Sequence, residues 1–436
     1  MQRNISLALI AAALLLPHTP SHAVDATWLP TSGENSYTDP SNWSSGAVPS
    51  GTSYRVVFTQ TGDQTVLIGQ SVSGPYDMSI RDTDGGVLHI VWTANTNGSV
   101  TTYSGLRLGE ADGDQIVIRK TGSGTFSFRS NWGNTVIGGS SSGNTTVTVQ
   151  GAGVVVGSYD QSLLVGRNSS SNGNVLKIES GAASISRLGF YAGYAGSSNN
   201  LVQVTGSGSK IEVTNVNGKV YIGNGSSGSG NRIEVTDGAS IIAPQIDIQG
   251  GTLFLNNGTV SLNHTAAGIT LNGNKSRLEG SGTITAHSIT SSTAGSVVRV
   301  GQTGTYGTLN VTLTGSGWVN DNISLQLAIG DLTDGEIAGS NYDFLNITGS
   351  FVAGGEVVID LANFQIAEPI ELQIISWTEL LGDAADLLVR FENGSFPVTY
   401  SIAADGLYIQ SIPEPAFSLL GAAGLSLLWL RRRTQG

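Results

Sequence analysis

LLVGRNSSSNGNVLKIESGAASIS, residues 163–186, holds the grammar of the chain. A short apolar strand ends at Gly166, a polar Ser/Asn/Gly turn follows, a second alternating strand runs through Leu176 and Ile178, and a glycine turn leads into a third strand. Four other segments repeat it: LRLGEADGDQIVIRKTGSGTFSF from Leu106, TVIGGSSSGNTTVTVQGAGVVV from Thr135, FYAGYAGSSNNLVQVTGSGSKIEV from Phe190 and VYIGNGSSGSGNRIEVTDGASII from Val220. Their marker glycines, Gly109, Gly138, Gly166, Gly193 and Gly223, fall 29, 28, 27 and 30 residues apart. Self-similarity at such a period points to a stacked architecture, because one unit cannot bury its apolar side alone.

Alternate residues of a strand share a face, so the apolar members should stack from unit to unit. The first strands offer Leu106/Leu108, Thr135/Ile137, Leu163/Val165, Phe190/Ala192 and Val220/Ile222; the second offer Ile116/Ile118, Val147/Val149, Leu176/Ile178, Val202/Val204 and Ile233/Val235. Three strands per ~28-residue turn, each with one apolar ladder, predict an all-β, right-handed parallel β-helix. A β-sandwich with evenly spaced strands is the competing arrangement. The expected layout is an N-terminal β cap with the first coils over 24–104, repeats over 105–300, and a C-terminal β cap or sandwich over 301–411, where longer apolar runs replace the short repeats.

Composition agrees. Glycine occurs 60 times in 436 residues, and only 12% of side chains are charged. Glycine disfavours helix interiors and an amphipathic helix needs a charged face, so helical bundles are excluded. The absence of cysteine excludes disulfides and thiol catalysis. Between the two termini, the body carries 16 basic against 31 acidic side chains, a balance that repels nucleic acid and anionic membranes.

The termini read as addresses. Residues 1–23 combine Arg3, an apolar run from Ile5 to Leu16, Pro17 and the small-x-small site Ser21-His22-Ala23, which predicts a secretory signal cleaved between Ala23 and Val24. Twelve apolar residues span only ~18 Å as helix, short of a ~30 Å bilayer core. The other end, 412–436, reads Pro413-Glu414-Pro415, an apolar stretch from Ala416 to Leu430, then Arg431-Arg432-Arg433. Pro415 holds Glu414 extended, the apolar stretch forms a short transmembrane helix, and the arginines keep its end cytoplasmic. A plain tail anchor is the alternative.

This tail resembles the PEP-CTERM sorting domain. The resemblance implies export, transient inner-membrane anchoring and recognition by an exosortase-type membrane peptidase. Release toward the cell surface or extracellular matrix of a Gram-negative-type bacterium would follow. The segment YDFLNITGSFVAGGEVVIDL from Tyr342, and the opening with Trp28 and Asn42-Trp43-Ser44, resemble autotransporter-like passenger proteins carrying such tails.

Chemistry-bearing motifs are sparse. Gly139-Ser140-Ser141-Ser142-Gly143 fits the nucleophile-elbow expression, and Gly223-Asn224-Gly225-Ser226-Ser227-Gly228 the dinucleotide fingerprint. Both fall in the same turn of the repeat, before a strand, where each chemistry needs a helix. Asp82-Thr83-Asp84-Gly85, Glu110-Ala111-Asp112-Gly113-Asp114 and Asp331-Leu332-Thr333-Asp334-Gly335-Glu336 offer oxygen ligands, a weak calcium signal since Asp also favours turns. His89, His264 and His287 are scattered, and no carboxylates group along the repeats. No catalytic, cofactor or metal site is therefore expected. Trp28 and Trp43 either seal the first coil or stack on sugars; Tyr191, Tyr194 and Tyr221 are the other candidate glycan contacts. The expected function is a non-enzymatic structural, adhesive or exopolysaccharide-associated surface protein. A β-helix polysaccharide lyase or hydrolase, or a glycan-binding module, is the alternative.

Overall fold

The computed structural model describes residues 24–411, except 31, 61, 83–85, 140–142, 225–227, 265–267, 334, 367 and 395–396. The signal segment with Ala23, and the tail with Pro413, Glu414, Pro415, the expected helix and Arg431, Arg432 and Arg433, lie outside the described residues.

The described chain is an all-β parallel solenoid of about 13 turns with ~28 residues per coil. Three ladders run its length. The first climbs through Val24–Thr27, Tyr54–Gln60, Asp77–Asp82, Gly105–Leu108, Thr135–Ile137, Ser162–Val165, Gly189–Ala192, Lys219–Ile222 and Gln245–Ile248. The second passes through Gln64–Ile68, Val87–Trp92, Gln115–Lys120, Thr146–Gln150, Val175–Glu179, Leu201–Thr205 and Arg232–Thr236. The third holds Gly98–Thr102, Phe126–Ser130, Val154–Ser158, Ala183–Ser186, Lys210–Val213 and Ser240–Ala243. Parallel pairing hands each coil's amides and carbonyls to its neighbours, so the backbone is satisfied only by stacking.

Register follows the sequence alignment. Thr135 pairs with Leu106 and Leu163, and Phe190 with Leu163 and Val220. The inward members Leu163, Val165, Leu176, Ile178, Val202 and Ile233 are all fully buried. At about 1.5–3 kcal/mol per buried branched aliphatic side chain, these columns supply the main stabilisation.

The marker glycines do two jobs. Gly138, Gly166 and Gly193 sit at φ of +76°, +77° and +85°, in the left-handed region that suits glycine. A Cβ at these three positions would also overlap the side chains of Asn174, Asn200 and Asn231. Those asparagines form a fully buried ladder: Asn174 Nδ2 donates to Asn200 Oδ1 at 2.9 Å, and Asn200 Nδ2 to Asn231 Oδ1 at 2.9 Å. Each Oδ1 also accepts the backbone N–H of the preceding rung, Thr145, Asn174 and Asn200 in turn, at 3.1–3.2 Å. The corner between first and second strands is thus an internal hydrogen-bonded spine.

Beyond Ile248 the coils tighten. Ile248 pairs with Leu271 and Leu271 with Ser291, and neighbouring short strands fuse into the long Thr252–Leu262 and Arg277–Ser291. Over 301–411 the expected cap or sandwich proves to be mostly further solenoid. Parallel coils run on through Thr308–Val319, Phe344–Val352 and Ile370–Leu381, with Ile323–Ala328, Glu356–Asp360 and Leu388–Glu392 beside them. Their core is filled by Trp318, Phe351 and Trp377, the last two stacked at 5.2 Å. Among the described strands the direction reverses at the end, where Gly406–Ser411 pairs antiparallel with Ile370–Leu381 and Val398–Ala403. That hairpin covers an edge that would otherwise offer unpaired amides.

Candidate functional site

At the N-terminal end, Trp28 and Trp43 are 2% and 1% exposed. Their rings meet edge-to-face at 4.9 Å, Tyr37 meets Trp43 at 4.9 Å, and Phe58 closes on both. Trp43 Nε1 donates to the Tyr37 carbonyl at 2.8 Å, and Trp28 Nε1 to Gln64 Oε1 at 3.3 Å. No ring face of this pair is open to a pyranose. The sugar-platform expectation for Trp28 and Trp43 is corrected, because the indoles are consumed in sealing the first coils. Val24 begins the first strand and is exposed.

Tyr191 and Tyr221 pair in register and point outward between core-facing neighbours. Their rings stack at 4.5 Å and 9°, and Tyr194 meets Tyr191 edge-on at 5.1 Å. The faces between Tyr191 and Tyr221 are closed to ligand. Burial, then the neighbouring phenols, pushes the Tyr191 hydroxyl up to about 12. The trio therefore offers hydroxyl edges and part of Tyr194 rather than an open platform.

The two motif matches, whose central residues lie outside the described ones, run into the strands Thr146–Gln150 and Arg232–Thr236, so neither has the helix its chemistry needs. Of the calcium candidates, Thr83, Asp84, Gly85 and Asp334 lie outside the described residues. Other carboxylates of those candidates are engaged by the backbone: Asp112 accepts from the Gly143 amide of the next coil, while Asp114 and Asp331 close turns by accepting from the Ala111 and Thr333 amides. Among the described residues, no three His, Cys, Asp or Glu side chains sit close enough to hold a metal ion.

What sequence reasoning missed lies on the C-terminal coils. A cavity of about 210 Å³ is lined by Arg299, Tyr306, Gln326, Asp343, Asp360 and Glu392, among others. Pairing in register carries Ala328 onto Asp360 and Asp360 onto Glu392. Asp343 is 2% exposed; its Oδ1 accepts the Gly307 amide at 2.8 Å and its Oδ2 the Ala328 amide at 2.7 Å. Burial nonetheless raises this carboxyl to about 7, against the pull of the two amides and Arg299. Arg299 is held by Gln326, with Nη2 2.7 Å from Oε1, and by Thr303. The site thus sets a buried carboxyl, engaged by two backbone amides, in the wall of a small cavity of mixed polar and apolar lining.

A pH dependence follows. An unfolded Asp343 releases its proton near pH 4, whereas the folded one keeps it to about 7. The folded state then binds more protons between those values, so the stabilisation is full below pH 4 and is lost as pH rises through 7. Asp343→Asn is expected to remove this slope, which amounts to on the order of 4 kcal/mol. Denaturation midpoints of both proteins from pH 4 to 8 check it; parallel profiles would contradict it.

Among the described residues, no helix is long and apolar enough to cross a membrane. No protein-family model matches the chain, and a search of curated proteins finds no match in sequence.

Proposed function

We propose that the protein is an exported cell-surface or extracellular-matrix solenoid, processed by an exosortase-type membrane peptidase, with a structural, adhesive or exopolysaccharide-associated role. The carrying observation is the C-terminal order of Pro413-Glu414-Pro415, apolar stretch and arginine triplet, paired with the signal-like residues 1–23. The fold supports it: a long solenoid with a net acidic balance and polar Ser/Asn/Gly turns suits a stiff, displayed rod. Replacing Pro413, Glu414 and Pro415 together with alanine tests the reading. Wild type should leave the membrane fraction with a mass lower by the tail, while the triple variant should stay membrane-bound at full length. Identical fractionation and mass would overturn it.

One observation favours polysaccharide cleavage as a second reading. Asp343, whose carboxyl burial pushes up to about 7, lines one cavity with Asp360 and Glu392, and a pair of carboxyl side chains is what glycoside hydrolysis needs. If it holds, wild type shortens exopolysaccharide and Asp343→Asn does not.

A further inference from the structure

The corner joining each third-ladder strand to the first-ladder strand of the next coil carries an exposed aromatic ring on four successive coils. Tyr76 lies between Val72–Ser73 and Asp77–Asp82, Tyr103 between Gly98–Thr102 and Gly105–Leu108, Trp132 between Phe126–Ser130 and Thr135–Ile137, and Tyr159 between Val154–Ser158 and Ser162–Val165. They are 45%, 45%, 58% and 42% exposed. The corners are tied to one another: the Ser104 amide donates to the Tyr76 carbonyl, the Trp132 amide to the Tyr103 carbonyl, and the Asp160 amide to the Asn131 carbonyl. The corner backbones therefore form a rigid ladder that advances ~4.8 Å per coil, with Trp132 one residue beyond the level that Asn131 shares with Tyr103 and Tyr159.

Scattered surface aromatics are ordinary, but one per coil at one corner over four coils makes a strip. Tyr76 and Tyr103 also stack, with centroids 6.2 Å apart and planes 26° from parallel, but more loosely than Tyr191 on Tyr221 at 4.5 Å, and both rings stay exposed. Arg129 covers one face of Tyr159 at 4.4 Å and fixes that ring. We propose that Tyr76, Tyr103, Trp132 and Tyr159 form a binding strip for an extended, uncharged polysaccharide chain. An aromatic face packs against the C–H face of a pyranose, and a ribbon-like glycan repeats that face at a spacing close to the coil rise. The phenol and indole edges, with Asn131 beside them, supply the hydrogen bonds an amphipathic ligand needs. The acidic body repels polyanions, which selects a neutral chain. The proposal rests on the reading of this protein as an exported polysaccharide partner and names the surface that does the binding.

Affinity electrophoresis of the mature protein from producing cells, in gels cast with hydroxyethylcellulose or with dextran, tests it. Wild type should be retarded by hydroxyethylcellulose, an extended β-linked glucan, and not by dextran, a coiled α-linked one. Tyr103→Ala with Trp132→Ala, both at exposed positions, should weaken retardation about tenfold or more, whereas Tyr400→Ala, exposed on the terminal hairpin, should leave it unchanged. Undiminished retardation of the double variant would overturn the strip while leaving the broader functional reading standing. Failure of wild type to be retarded, with the tail-processing result above unchanged, would likewise overturn the strip alone.

Discussion

Replacing Asn200 with leucine is expected to destabilise the solenoid by about 3–4 kcal/mol, although the two side chains share the same branched skeleton. Asn200 is fully buried, and its Oδ1 accepts both the backbone and side-chain N–H of Asn174, while its Nδ2 donates to Asn231 and Ser197. Leucine leaves the Asn174 backbone N–H buried without an acceptor, leaves Asn174 Nδ2 with Ser171 alone, and removes a donor from Asn231. Each orphaned buried group costs about 1–3 kcal/mol. The damage should also spread: amide exchange should accelerate in the coils of both Asn174 and Asn231, because a solenoid is held by nearest-neighbour interfaces. Urea unfolding and hydrogen exchange of the mature protein check both effects. A stability within about 0.5 kcal/mol of wild type would show that the ladder is not a structural spine.

Gly193→Val should be at least as severe. Its φ of +85° is strained for any β-branched residue, and the new Cβ would overlap the Asn231 side chain. Backbone strain of about 1–3 kcal/mol adds to loss of the next rung of the ladder. Gly113 provides the contrast, since it has nearly the same φ, +84°, and a Cβ there would have nothing within 4 Å. Gly113→Val should therefore cost only the strain, about 1–3 kcal/mol. Thermal and urea midpoints of the two variants separate the contributions. Equal losses would mean that conformation alone, and not the asparagine ladder, explains the marker glycines.

The repeat is legible over 106–248 because two periodicities coincide there. Alternation within each strand marks Leu176/Ile178 and Val202/Val204, and glycines recur once per coil. The asparagine spine is not legible, since Asn174, Asn200 and Asn231 sit among turn-forming Ser, Asn and Gly, and composition alone cannot tell a solvated turn from a buried corner. Past Ile248 the signal fades as corners straighten: Arg277–Ser291 takes part in several pairings as one continuous strand, so the turn that marks each earlier corner is missing from it. The same stretching hides the C-terminal coils behind an apparent change of domain.

The candidate sites divide along similar lines. Alternation fixes the outward direction of Tyr191 and Tyr221 but not the stacking of their rings on each other. Asp343, Asp360 and Glu392 stand 17 and 32 residues apart, off the ~28-residue period, and only coil stacking brings them to one cavity. The corner aromatics Tyr76, Tyr103, Trp132 and Tyr159 are spaced 27, 29 and 27 residues apart, so their period is present in the sequence. Their exposure is not, because they stand in corners, where strand alternation gives no direction.

The measurement that decides between rod and enzyme is a single chromatographic run of the mature protein with exopolysaccharide from the producing cells, following polymer size and bound protein together. The predicted result is polymer of unchanged length that elutes with protein attached. Shortened polymer would contradict the non-enzymatic role and move the chemistry to the cavity of Asp343; intact polymer eluting free of protein would contradict the association with polysaccharide.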